Sequence, residues 1–120
     1  MDLNNPVIKL CIQGARFEFE GKKKDACELY RKAWETATDD YEACIAAHYV
    51  ARFQDTHQAT LKWNQEALRR ADAVGDERMQ EFYPSLYVNL GQSYELVGNE
   101  MEAQRYFRLA ADLGLVHHSD

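Results

Sequence analysis

Along almost the whole chain, apolar positions recur three and four residues apart, the spacing of amphipathic helices. Ile8, Cys11, Ile12, Ala15 and Phe19 form a first run. Asn5 can cap it, Pro6 suits its first turn, and Gly21 closes it. Ala26, Leu29, Tyr30, Ala33 and Trp34 form a second run. Asp39, with Glu42 three residues on, resembles a capping box for a third, carrying Ala43, Ala47, Val50 and Ala51. "QDTHQ" breaks that run, and Asp55 or Thr56 can cap a fourth with Ala59, Trp63, Ala67 and Ala71, which stops at Gly75. A fifth region begins near Asp76 and ends before Gly98; Asn99, followed by Glu102, opens a sixth that runs to about Gly114. Pro84 lacks an amide hydrogen and disfavours helical geometry at Tyr83. "DERMQEF" is therefore expected to form a separate short turn, with the main helix restarting at Pro84 or Ser85. The pattern predicts one all-α domain over residues 1–120, with about six helices and loops short enough for antiparallel neighbours.

The first and last thirds share a second, longer pattern. Gly14 is followed by Phe17, Gly21, Ala26, Tyr30 and Ala33; Gly91 is followed by Tyr94, Gly98, Ala103, Phe107 and Ala110. The offsets agree at all five places, so the chain carries an internal repeat. The two glycines lie inside helical runs, where glycine costs roughly 1 kcal/mol relative to alanine. Close approach of a second helix is the expected compensation, with Ala26 and Ala103 at the contact and aromatic rings beside them.

These residues resemble the tetratricopeptide repeat pattern, W-x2-L-G-x2-Y followed by A-x3-F. Tyr87, Leu90, Gly91, Tyr94, Ala103 and Phe107 take its places in the last third; Leu10, Gln13, Gly14, Phe17, Ala26 and Tyr30 take them in the first. The family's closing proline is missing near Leu115, and Gln13 departs from the pattern. Units are placed at about 7–40, 41–75 and 84–116, with an insert at about 76–83. In the middle unit His48 lies where the glycine belongs, which suggests wider helix spacing there. Ala59 and Trp63 fit A-x3-aromatic if the preceding turn is one residue shorter.

The resemblance implies an antiparallel helix-hairpin solenoid with a concave, partner-binding face. Carried over by position, that face holds Ile8, Cys11, Ala15, Glu18 and Phe19 in the first unit. It holds Glu42, Ile45, Tyr49, Arg52 and Phe53 in the second, and Ser85, Val88, Gln92, Glu95 and Leu96 in the third. The mixture suits a peptide or an amphipathic helix of a partner protein. The Lys/Asn clamp with which some family members hold C-terminal carboxylates has no counterpart at Cys11, Ala15, Ile45, Tyr49, Val88 and Gln92.

Composition narrows the remaining classes. Fifteen Ala against thirteen Val, Ile and Thr favours helix over sheet. A formal net charge of −6 repels phosphate backbones, so nucleic acid is not an expected partner. Cys11, Cys27 and Cys44 form no CxxC and no disulfide framework, and read as reduced, mostly buried thiols. The N-terminus lacks the long apolar core of a signal peptide, and no stretch approaches the ~18 apolar residues of a membrane span. The expected location is cytoplasmic. No Gly-rich phosphate loop, GxSxG or HExxH appears, and neither His48 and His57 nor the terminal His117 and His118 sit in a metal-ligand motif. The reading is a binding module, not an enzyme, with no cofactor and no metal. Self-association as a homodimer is the alternative: Leu115 and Val116 either fold over the terminal face or leave it for a second chain. A small enzyme or ligand sensor is a weaker third reading. Lys22, Lys23 and Lys24 read as a solvated turn.

Overall fold

The structure, a computed structural model, describes residues 2–114. Its α-helices are α1 (Pro6–Phe19), α2 (Lys23–Thr36), α3 (Asp40–Val50), α4 (His57–Val74), α5 (Tyr83–Leu96) and α6 (Glu100–Asp112). The fold is all-α, with no strand among the described residues. The tail from Leu115 onward, with the proposed cover of the terminal face, lies outside them.

The helix starts follow from local chemistry. Asn5 Oδ1 accepts from the amides of Val7 and Ile8, Asp39 from Glu42, Thr56 from Ala59 and Asn99 from Glu102. Each side chain satisfies amides that a first turn leaves unpaired. α2 and α5 are the exceptions: Lys22, whose ammonium lies 3.6 Å from Glu20, and Phe82 provide no side-chain cap. A 3-10 turn at Glu77–Met79 precedes α5, and Pro84 falls within the first two residues of that helix. The separate turn expected before Pro84 is therefore present.

The helices pair as three hairpins, α1 with α2, α3 with α4 and α5 with α6. In each, the second helix starts seventeen residues after the first (6 and 23, 40 and 57, 83 and 100). The second unit follows the first by 34 residues in both helices (6 to 40, 23 to 57), and the third follows by nine more (40 to 83).

The glycines sit under rings, as the repeat requires. A Cβ built on Gly14 would lie 2.8 Å from Tyr30 Cδ1 and closer still to Cε1; one on Gly91 would lie 2.5 Å from Phe107 Cδ1 and closer to Cε1. Ala26 and Ala103 are fully buried beside these contacts, so the ring, rather than the alanine, is what occupies the glycine's missing side chain. Tyr94 stacks on Tyr106 at 5.6 Å across the same hairpin.

The middle unit corrects the sequence reading. No turn is shortened there, because α2 and α4 start 34 residues apart. The buried positions of α4 are Asn64, Ala67 and Ala71. Trp63 is half-buried instead, edge-on to Trp34 at 5.0 Å. The equivalents of Gly14/Tyr30 and Gly91/Phe107 are thus His48 and Asn64, again sixteen residues apart. α3 also carries five consecutive buried residues, Ala43 to Ala47, because α1, α2 and α4 all pack around it.

The nine-residue insert joins the core. Met79 is fully buried with Cys44, Ala47, Ala67, Ala71 and Leu86, and Phe82 packs against both core clusters. Tyr83 Oη donates to Asp72 Oδ1 at 2.7 Å. The insert changes how the units stack. α1 packs directly on α3, whereas no comparable packing joins α3 to α5.

Candidate peptide groove

The separation of α3 from α5 leaves two clefts that meet at His48. One, of about 120 Å3, is lined by Cys44, Ile45, His48, Tyr49, Phe82, Ser85 and Leu86. The other, of about 230 Å3, is lined by His48, Ala51, Arg52, Thr60, Asn64, Asn89, Gln92, Ser93 and Leu96. The first is mainly apolar and aromatic; the second presents amides, hydroxyls and an imidazole.

Hydrogen bonds hold the polar cleft in shape. Asn64 Nδ2 donates to Ser93 Oγ at 2.7 Å, and both residues are buried. Asn89 Nδ2 lies 3.2 Å from His48 Nδ1. In this orientation Nδ1 accepts, and the neutral ring carries its proton on Nε2. Burial, and then the charge of Arg52, holds the His48 pKa below its ordinary value. The imidazole is therefore neutral at pH 7.

Arg52 belongs to a second network. Its guanidinium meets the Glu18 carboxylate through Nε at 3.0 Å and through Nη2. Glu18 also accepts from Tyr30 Oη at 2.8 Å. The Glu18 pKa falls below the usual carboxylate range, first through the Arg52 hydrogen bond and despite partial burial. Tyr49 stacks on Tyr30 at 5.1 Å, and Phe53 lies against the same ring at 6.2 Å. Tyr30 thus ties the first unit's glycine contact to the rim of the second unit.

The structure sorts the fifteen residues placed on the concave face. Ile45, Tyr49 and Ser85 line the apolar cleft; Arg52, Gln92 and Leu96 line the polar one. Ile8 and Cys11 are buried in the core, as Ile45 is except where it floors the cleft. Phe53 turns toward Tyr30. Glu42 accepts from Asn5 Nδ2 and from Thr38 at the junction of units one and two. Phe19 is 92% exposed beside Glu18. Ala15, Val88 and Glu95 are half-buried and line neither cleft.

His48, Asn64, Ser93 and Phe82 were not expected at the site, and the sequence marks Asn89 only as a match to one secondary place of the carboxylate clamp. An offset of 34 from Tyr30 points to Asn64, and the same offset from Glu18 points to Arg52. The Asn64–Ser93 pair spans two units and leaves no local trace.

Cys11 and Cys44 are buried, and burial pushes both thiols up to about 12. They are protonated and unreactive at neutral pH. Among the described residues, no group of three or more His, Cys, Asp or Glu could hold a metal ion, and no helix is long and apolar enough to cross a membrane. No protein-family model matches the chain, and no curated protein or solved structure does.

Proposed function

We propose that the chain is a cytoplasmic interaction module of the tetratricopeptide type, which binds a segment of a partner protein between α3 and α5. The observation that supports this is the gap itself. The insert buries Met79 among α3, α4 and α5 and brings Phe82 to the wall of the apolar cleft, which runs into a polar one. A peptide with side chains of both kinds fits such a surface, its apolar contacts giving affinity and its polar contacts selecting.

Ser85 and Gln92 test the reading, because both are exposed and each lines one cleft. Peptides selected from a displayed random library should share a pattern and lose binding at least tenfold to Ser85→Arg or Gln92→Arg. Both variants should melt within a degree or two of the parent. A library that yields no binder, or binders indifferent to both arginines, defeats the proposal.

A further inference from the structure

The polar cleft has a chemistry of its own, set by the middle unit's departure from the other two. In the outer units an aromatic ring covers the helix glycine. Here His48 and Asn64 stand in those places, and the volume left open is about 230 Å3. That is below the roughly 300–1,000 Å3 of small-molecule and cofactor sites. Its scale is that of a side chain.

Charge decides which side chain. Among the described residues that line the cleft, Arg52 alone carries a full charge, and its guanidinium already faces the Glu18 carboxylate in two contacts. An entering carboxylate would meet a guanidinium whose charge Glu18 already offsets, and an entering ammonium would have to compete with Arg52 for Glu18. Burying an unpaired charge is far more costly than burying a hydrogen-bonded neutral group. The rest of the lining is neutral and offers both donors and acceptors: Asn64, Asn89, Gln92, Ser93, Thr60 and the His48 imidazole. A carboxamide, with two donors and a carbonyl acceptor, matches that set. A hydroxyl side chain fills too little of the space.

We propose that this cleft is a subsite for the carboxamide of an Asn or Gln side chain on the bound peptide, next to an apolar residue seated in the neighbouring cleft. The proposal rests on the groove reading above. It is tested with probes that need no known partner. In a 15N-labelled sample, the side-chain amide signals of Asn64, Asn89 and Gln92 are followed while N-acetyl-glutamine methylamide is added. The matched glutamate, lysine and alanine compounds serve as comparisons.

The glutamine compound should move the Asn64 and Asn89 signals and bind at least fivefold better than the other three. Gln92→Arg should abolish the shift while leaving the backbone spectrum folded. Equal or better binding of glutamate or lysine overturns the neutral-amide assignment. Equal binding of the alanine compound overturns the side-chain assignment in favour of the peptide backbone. If no compound shifts these signals while displayed peptides still bind and still respond to Ser85→Arg, the subsite falls and the groove stands. If the glutamine compound binds but no peptide is ever selected, the peptide groove falls, and with it the assignment of this cleft to a peptide side chain.

Discussion

Gly14→Ala and Gly91→Ala place the same methyl group against two buried aromatic rings. On helix propensity alone each change should stabilise by roughly 1 kcal/mol. Against that, the new Cβ would meet ring carbons at 2.8 Å or less in the first unit and 2.5 Å or less in the third. Ordinary carbon contacts are about 3.5–4.0 Å, so each ring must retreat by about 1 Å. Phe107 is buried in the α5–α6 hairpin. Tyr30 has little room to retreat, because its hydroxyl is bound to Glu18 and its faces lie against Tyr49 and Phe53.

Overpacking costs roughly 1–3 kcal/mol. Gly14→Ala should then fall near the high end, a net loss of about 2 kcal/mol after the propensity gain, and Gly91→Ala within about 0–2 kcal/mol. For a domain of this size those losses lower Tm by roughly 6–10 °C and 0–10 °C. Thermal melts by circular dichroism give both losses, and a cycle with Phe107→Leu isolates the contact. Without the ring, Gly91→Ala should turn stabilising. A Gly14→Ala variant that melts at or above the parent refutes the packing argument, as does a Gly91→Ala effect unchanged by Phe107→Leu.

Other outcomes follow from the same geometry. Below pH about 6.5 the unfolded chain protonates at His48 before the folded chain does, so stability should be complete above that pH and fall as the pH drops through the lowered folded value. Urea melts at pH 7.5 and 5.5 should show the loss, and His48→Gln should remove part of it; an unchanged difference counts against a buried neutral imidazole. Ser93→Ala leaves the Asn64 amide without its partner and should cost about 1–3 kcal/mol in the same melts. Light scattering across a concentration series tests the homodimer, for which Leu3, Ile12, Phe19, Leu96, Met101 and Leu113 are exposed apolar residues among those described; a monomer mass throughout rejects it.

Most of the helix boundaries were legible because they are set locally. Asn5, Asp39, Thr56 and Asn99 cap through amides two or three residues away, and Gly21, Gly75 and Gly98 end helices with positive φ. The outer hairpins were legible because their glycine and ring repeat at fixed offsets. α4 was not. Its Ala59–Trp63 spacing imitates the repeat one residue out of register, and the residue that is buried, Asn64, is polar. Only a partner 29 residues away, Ser93, makes that burial tolerable. The insert was recognised as an insert, but the burial of Met79 depends on three other helices. The residues carried over by position as a concave face include core, rim and cleft alike, because position within a repeat carries register and not chemistry.

The middle unit therefore gives up a packing device that its neighbours keep, and its restoration measures what the cleft costs the fold. His48→Gly, Asn64→Phe and Ser93→Ala together would rebuild the outer units' pairing of ring on glycine. The glycine should cost roughly 1 kcal/mol. Removing both members of the Asn64–Ser93 pair leaves neither stranded, so that loss is about 1 kcal/mol instead of the larger penalty of deleting one. Burying a phenylalanine side chain returns about 1.5–3 kcal/mol. The triple variant should thus melt within a few degrees of the parent, or above it, while Ser93→Ala alone melts well below. It should also lose every peptide whose binding depends on Gln92, because the ring fills the polar cleft. A triple variant that fails to fold would show that His48 and Asn64 are not the counterparts of Gly14 and Tyr30. One that folds and still binds such peptides would place their recognition outside the space between α3 and α5.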